Sequence, residues 1–374
     1  YSTEGLSETE SNYTAIGGYC DETERFFCGH FDGGGHTISG IRIYKGGADS
    51  TDYWQGLFGW TGSGADIHDI HLTDAHITGR LYVGGIVGHN SSGILSNNLV
   101  TASTIICNAD IRYGAICGYN ASPGKLTNNY YYACTVNGTA NATDVGCDGH
   151  DFNTEFCPCG AVPAIALLDN DDNTPAITNA ADGNAHRVVL YGRTLYKDGA
   201  WNTLCLPFTL TDGDTAPGYP SSQGGSDGIT FTGTILQGAE VMGFDHASFD
   251  AATGTLEIIF GKDYEVRAGE PFIVRWTKAD PSDPDLEDLV NPVFTDVTIT
   301  AEEPQTNDPE GYAAAFVGTY SPINIYAEAK TNLYLGADNT LYYPWAEGMT
   351  SFNLNACRAY FQLKNTSRSE ERFS

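Results

Sequence analysis

Gly56-Leu57-Phe58-Gly59 returns as Gly85-Ile86-Val87-Gly88 and again as Ala115-Ile116-Cys117-Gly118, the copies starting 29 and 30 residues apart. The flanking apolar positions return with it. Ile67, Ile70 and Leu72 fall opposite Leu95, Asn98 and Val100, then opposite Leu126, Asn129 and Tyr131. An earlier, partial copy holds Ile38, Ile41 and Ile43, and two further columns are Ile77/Ile105/Val136 and Trp60/His89/Tyr119. Correlated copies at one period mark a repeat architecture.

The content of each unit decides which architecture. Short alternating apolar runs with glycine, Asn-Gly or Ser-Gly punctuation, and no helical period, describe two or three short strands joined by turns. Such a unit cannot bury its own apolar face, whereas identical columns stacked about 4.8 Å apart would bury it. Glycines at fixed positions are expected to supply positive φ at the corners. Asn97-Asn98 above Asn128-Asn129 should form an amide ladder. The expected fold is all-β: a right-handed parallel β-helix of about four coils in residues 1–160, then an antiparallel β-sandwich in 161–374. A sandwich throughout, with coincidental repeats, is the competing arrangement.

The boundary rests on a shift in composition, where Asp169-Asn170-Asp171-Asp172-Asn173 sits between Pro163 and Pro175. Beyond it, strand-like runs such as 187–196, 201–210, 228–244, 271–278 and 312–318 alternate with turn signals such as Lys197-Asp198-Gly199. Pro281 to Asp288 reads as an exposed acidic loop.

Charge narrows the partners. In 374 residues, 18 basic side chains face 47 acidic ones, giving a net charge of −29 and a pI near 4.3. Phosphate recognition needs basic stripes that release counterions, so nucleic acid is excluded as a partner. An anionic membrane surface suits such a field no better. No apolar run approaches the roughly 18 residues of a membrane span. The chain opens at Tyr1 with no basic-then-apolar leader, so an exported protein is expected here without its signal peptide. Ten cysteines in a lysine-poor chain point to an oxidising, extracytoplasmic compartment with some of them paired. Six Asn-x-Ser/Thr triplets, at Asn12, Asn90, Asn120, Asn137, Asn141 and Asn365, would mark surface loops if the host glycosylates asparagine, though chance explains them equally well.

The stretch Phe27-Cys28-Gly29-His30-Phe31-Asp32-Gly33-Gly34-Gly35-His36-Thr37-Ile38 resembles the opening coil of GLUG-motif proteins, and the Gly-Leu-Phe-Gly copies resemble the motif that names them. The resemblance covers residues 12–140. In the second half, Trp201-Asn202-Thr203-Leu204-Cys205-Leu206-Pro207-Phe208 and Arg358-Ala359-Tyr360-Phe361-Gln362-Leu363 are similar to a β-rich module of surface proteins in Gram-negative gut anaerobes. Asn365 to Arg372 lies outside it. The resemblance implies an exported, adhesin-like surface protein and brings no catalytic residues.

Large aromatics suit sugar or protein surfaces. The candidate binding residues are Trp54, Trp60, Tyr82, His89, Tyr119 and Tyr130, with Tyr113, Tyr131 and Tyr132 beside them. The expected partner is a host or microbial surface glycan or protein, the expected state a monomer. Rings that merely fill the core are the alternative.

Metal sites are weaker readings, and no cofactor is expected. Cys147, His150, Cys157 and Cys159 supply donors for a closed zinc site, but a disulfide or free thiols fit the same spacing. Cys20 and Cys28 are a second candidate bridge. Cys117 should be a buried, unpaired thiol in the column of Phe58 and Val87. Asp169, Asp171 and Asn173 match three calcium-loop positions, yet Thr174 and Ala180 replace the glycine and glutamate such a loop needs, which favours a plain acidic linker. His68, Asp69, His71 and His76 are close in sequence but should spread over different faces of a solvated coil.

A polysaccharide-cleaving β-helix enzyme is the alternative function. A lyase needs Lys or Arg beside the abstracted proton, and the first half holds only Arg25, Arg42, Lys45, Arg80, Arg112 and Lys125. A hydrolase needs two facing carboxylates. Asp66, Asp69 and Asp74 share a coil, but no column repeats them.

Overall fold

The computed structural model describes residues 1–20, 23–47, 49–121, 124–140, 161–210, 234–261, 265–276, 288–326, 331–336, 339–342 and 351–364. Two compact units divide at Ile165/Ala166, against an expected boundary at 160.

The first unit is a parallel β-solenoid with five strands to a coil. One coil runs Tyr53–Gln55, Phe58–Thr61, Asp66–His68, His71–Thr73 and His76–Gly79. The next runs Leu81–Gly84, Val87–Asn90, Ile94–Ser96, Leu99–Thr101 and Thr104–Cys107. The last runs Tyr113–Gly114, Cys117–Asn120, Lys125–Thr127, Asn129–Tyr132 and Thr135–Val136. Each strand pairs in parallel with its counterpart in the neighbouring coil. A partial coil, His30–Asp32, Thr37–Ser39 and Arg42–Tyr44, precedes them, so the expected four coils are three complete turns and a fragment.

The interior is the set of columns read from the repeat. Ile67, Leu95 and Leu126 are in register, as are Leu72, Val100 and Tyr131, and Phe58, Val87 and Cys117. Cys117 is fully buried in the column, as expected, and its Sγ donates to the Tyr119 carbonyl. The partial coil needs a correction of phase. Ile38 stacks on Leu72 and Ile43 on Ile77, while Phe31 occupies the Ile67 column. The apolar spacing three-two recurs inside one coil, at 67, 70, 72, 75 and 77, so the pattern alone cannot tell one strand from the next.

The corners also differ from expectation. The repeat glycines do not hold them. Three columns of non-glycine residues do: Trp54/Tyr82/Arg112, Asp69/Asn97/Asn128 and Asp74/Ala102/Ala133 all have φ between 46° and 61°. The repeat glycines answer a different need, close backbone approach. A Cβ on Gly88 would lie 2.5 Å from the Tyr82 carbonyl oxygen and 2.7 Å from that of Gly59, and one on Gly118 would lie 2.5 Å from the Gly88 oxygen.

The expected amide ladder is present at Asn98 and Asn129, both wholly buried. A second one, not expected, climbs from Thr61 Oγ1 to Asn90 Oδ1 at 2.6 Å and from Asn90 Nδ2 to Asn120 Oδ1 at 2.7 Å. Asn90 is therefore buried structure and cannot serve as a glycosylation acceptor. Cys28 is an exposed free thiol rather than half of a bridge. Cys147, His150, Cys157, Cys159, Asn141 and Asn365 lie outside the described residues.

In the second unit, a four-stranded antiparallel sheet runs Asn202–Cys205, Pro271–Arg275, Glu240–Asp250, Thr255–Gly261. A second runs Thr306–Asn307, Ala314–Thr319, Arg358–Leu363, Asn332–Leu335, Leu341–Tyr342. They share one core, in which Phe316 stacks on Phe361 at 4.7 Å and meets Phe244 at 5.7 Å. Of the 228–244 run, the described residues 234–239 form turns and a strand begins at Glu240.

The acidic stretch is packed into the second unit and is not a plain linker. The Asp169 carboxylate accepts from Arg358 at 2.9 Å and from Asn355 Nδ2 at 2.7 Å. Asn173, 2% exposed, donates from Nδ2 to the carbonyls of Leu168 and Tyr320 and accepts from the Leu168 amide. Thr174–Ala180 then forms an α-helix, with Pro175 in its first turn where no amide hydrogen is required.

Candidate functional site

The aromatic candidates gather where two strands of each coil meet at a corner. Phe58–Thr61 and its counterparts supply the column Trp60/His89/Tyr119, which is in direct register. The strand before it supplies Trp54 and Tyr82, and Arg112 precedes Tyr113 at the same position of the last coil. The positive φ at Trp54, Tyr82 and Arg112 swings these side chains beside the other column. The bare Gly88 and Gly118 backbone lets the Tyr82 backbone close against it.

The result is a two-column strip of planar groups. Trp54 stacks on Trp60 with centroids 4.6 Å apart, and Tyr82 on His89 at 4.9 Å. In the last coil the Arg112 guanidinium lies 4.4 Å from the Tyr119 ring centroid and 5.0 Å from that of Tyr82. Between coils, Trp60 stacks on His89 at 5.2 Å and Trp54 on Tyr82 at 6.1 Å. All six groups are half-buried. Phe26, 45% exposed, closes one end edge-on to Trp60 at 4.5 Å.

Polar contacts fix the rings. Trp60 Nε1 donates to Ser91 Oγ at 2.7 Å, and Arg112 donates to the Tyr82 hydroxyl. Among the described residues, neither ring nitrogen of His89 has a hydrogen-bond partner. Burial, and then the Arg112 charge, lower its pKa to about 4, so at neutral pH it is an uncharged plate within the stack.

Five of the six expected binding residues therefore share one strip. Tyr130 does not. It is 4% exposed in the strand Asn129–Tyr132, in register with Leu99 and apart from the strip. Its burial leaves little of its surface open to a ligand. Arg112 and Phe26 were not among the candidates, although the recurrence of a planar group three residues before Gly85 and Ala115 was available as a signal for Arg112.

The histidines divide over different faces, as expected. His71 is buried between Thr37 Oγ1 at 3.0 Å and Thr101 Oγ1 at 2.8 Å, and His76 is exposed. His68 departs from a merely solvated surface, since the stack places it against His30, Asp32, Asp66 and Asp69.

No family model and no solved structure matches the chain. A stretch of 118 residues is 35% identical to Halomucin of Haloquadratum walsbyi (strain DSM 16790 / HBSQ001). It covers 31% of this chain and 1% of Halomucin. Among the described residues no helix is long and apolar enough to cross a membrane. The β-solenoid and this similarity are compatible with a surface protein.

Proposed function

We propose that the chain is a non-catalytic, exported surface protein of the GLUG-motif type, whose solenoid presents the Trp54–Tyr119 strip to a glycan. The observation that supports this reading is the two-column strip itself. Its ring faces are spaced along the stack at the coil repeat, with a guanidinium at one end. Aromatic faces stack on the apolar faces of sugar rings, and an edge cation adds hydrogen bonds to hydroxyl or carboxylate groups. Protein surfaces use the same residue types, so an array on which no glycan binds would favour a protein ligand.

The experiment is a glycan array run beside reducing-sugar and unsaturated-product assays on the same glycans. Binding without turnover, reduced at least tenfold by Trp54→Ala and by Tyr119→Ala, supports the proposal. Turnover abolished by Asp66→Asn would replace it with the polysaccharide-cleaving reading.

A further inference from the structure

On the outer face of the first two coils, the strand pairing sets His30 opposite Asp66 and Asp32 opposite His68. His30 Nδ1 lies 3.1 Å from Asp66 Oδ2, and His68 Nδ1 lies 2.6 Å from Asp69 Oδ2 and 3.6 Å from Asp32 Oδ1. The two Nε2 atoms face each other at 3.2 Å. An ionised carboxylate only accepts, so each Nδ1 must carry its ring's hydrogen. That leaves two Nε2 lone pairs pointed at one another. Only a cation between them, a proton or a metal ion, turns this repulsion into attraction.

We propose that His30 and His68 bind one divalent transition-metal ion of the zinc class through their Nε2 atoms. The spacing suits it. Two metal–nitrogen bonds of about 2.0–2.1 Å spanning that gap subtend an angle of about 100°, close to tetrahedral. The carboxylates complete the arrangement expected around metal-bound imidazole, in which the outer nitrogen donates to an acid and the ring orientation is fixed. Imidazole donors select zinc, copper or nickel over calcium and magnesium. Asp66 also offers a donor atom within 4.8 Å of those of His30 and His68, and solvent completes the coordination because His30 is 62% exposed.

The fold does not require this cluster. At the His68 position the later coils carry Ser96 and Thr127, and at the Asp66 position Ile94 and Lys125. Only the corner at Asp69 is repeated, as Asn97 and Asn128, where the backbone has positive φ. The architecture does hold the site rigid. The Gly33 amide donates to the His68 carbonyl at 2.8 Å and the Gly35 amide to that of Asp69 at 2.9 Å. A Cβ on Gly33 would lie 2.4 Å from the Asp69 oxygen. The carboxylates of Asp32, Asp66 and Asp69 surround His68. The same negative surroundings favour a bound cation.

The test is calorimetric titration of the full, chelator-treated and thiol-alkylated chain with Zn²⁺, Ni²⁺ and Ca²⁺, with Co²⁺ absorption as a coordination probe. Saturable one-to-one Zn²⁺ binding is expected, weakened at least tenfold by His30→Ala and by His68→Ala. Asp69→Asn should weaken it roughly 10–100-fold, as loss of an outer-shell partner does. Ca²⁺ should bind far more weakly. Circular dichroism confirms that the variants keep the solenoid. Zn²⁺ affinity unchanged in the double variant His30→Ala/His68→Ala, or no saturable binding in the parent chain, would overturn the proposal.

Discussion

Asn98 Nδ2 donates to Asn129 Oδ1 at 3.0 Å, and neither side chain has any exposure to solvent. Asn98 also accepts from the Ile70 amide at 3.2 Å and donates to the Ile67 carbonyl at 3.1 Å, while Asn129 donates to the Leu95 carbonyl at 2.9 Å. These amides satisfy backbone groups at a corner where the parallel ladder is interrupted. Asn98→Ala leaves a buried amide and a buried carbonyl without partners and should destabilise the solenoid by about 2–4 kcal/mol. Urea unfolding measures this. A double-mutant cycle with Asn129→Ala should return coupling of about 0.5–3 kcal/mol, and additivity would show that the two amides act separately.

Gly88→Ala tests the close approach of the two strip-bearing strands. The new methyl meets backbone oxygens of Tyr82 and Gly59, and neither can move without breaking a stacked strand. A loss of at least about 2–3 kcal/mol is expected from overpacking. Gly261→Ala, which meets nothing within 4 Å, should stay within about 0.5 kcal/mol of the parent.

Acid should loosen the strip. His89 titrates near 4 when folded, against its ordinary 6.5. Above 6.5 neither state is protonated, so the group makes no difference there. Between 6.5 and 4 the unfolded chain takes up a proton that the folded chain refuses. Stability therefore falls through that window as pH drops. His89→Phe keeps the stack and should flatten this part of the profile, measured by urea midpoints from pH 7 to 4. An unchanged slope would place the titration elsewhere.

Thiol reactivity should separate sharply. Cys28 is exposed, whereas Cys107, Cys117, Cys134, Cys205 and Cys357 are buried. Burial raises the Cys134 thiol to about 11 and the Cys357 thiol to about 12, which starves both of reactive thiolate. Mass spectrometry of natively alkylated protein should find Cys28 modified first and these five protected until denaturant is added. If Cys147, Cys157 and Cys159 all alkylate freely in native, metal-free protein, neither a bridge nor a zinc site forms there.

Arg358→Leu should weaken the second unit by about 3–5 kcal/mol, because it strands the Asp169 carboxylate, whose side chain is only 10% exposed, without its cation. Thermal unfolding of the variant checks the direction. Asp169→Asn in the same background should recover part of the loss.

Periodicity by itself determined the solenoid, because stacked coils demand that the same column hold apolar residues in every copy. Phe58/Val87/Cys117 and Ile67/Leu95/Leu126 are visible as spacing before any coordinate is known. The same rule made Cys117 and the Asn98/Asn129 amides legible, and it brought together five of the six aromatic candidates. It could not fix the phase of the first coil, since the spacing at Ile38, Ile41 and Ile43 recurs within each coil as well as between coils. Nor could it show which way a ring turns. Tyr130 is 4% exposed beside Leu99 and apart from the strip, and Arg112 joined the strip through a positive φ that its residue type does not announce. The His30–His68 pair was decided by tertiary structure alone. Those residues stand 38 apart in the chain and belong to no repeated column, so only the register of one coil on the next makes them neighbours. Periodic features are written in sequence because each copy repeats the constraint, whereas a contact made once is set by the packing that joins its two halves.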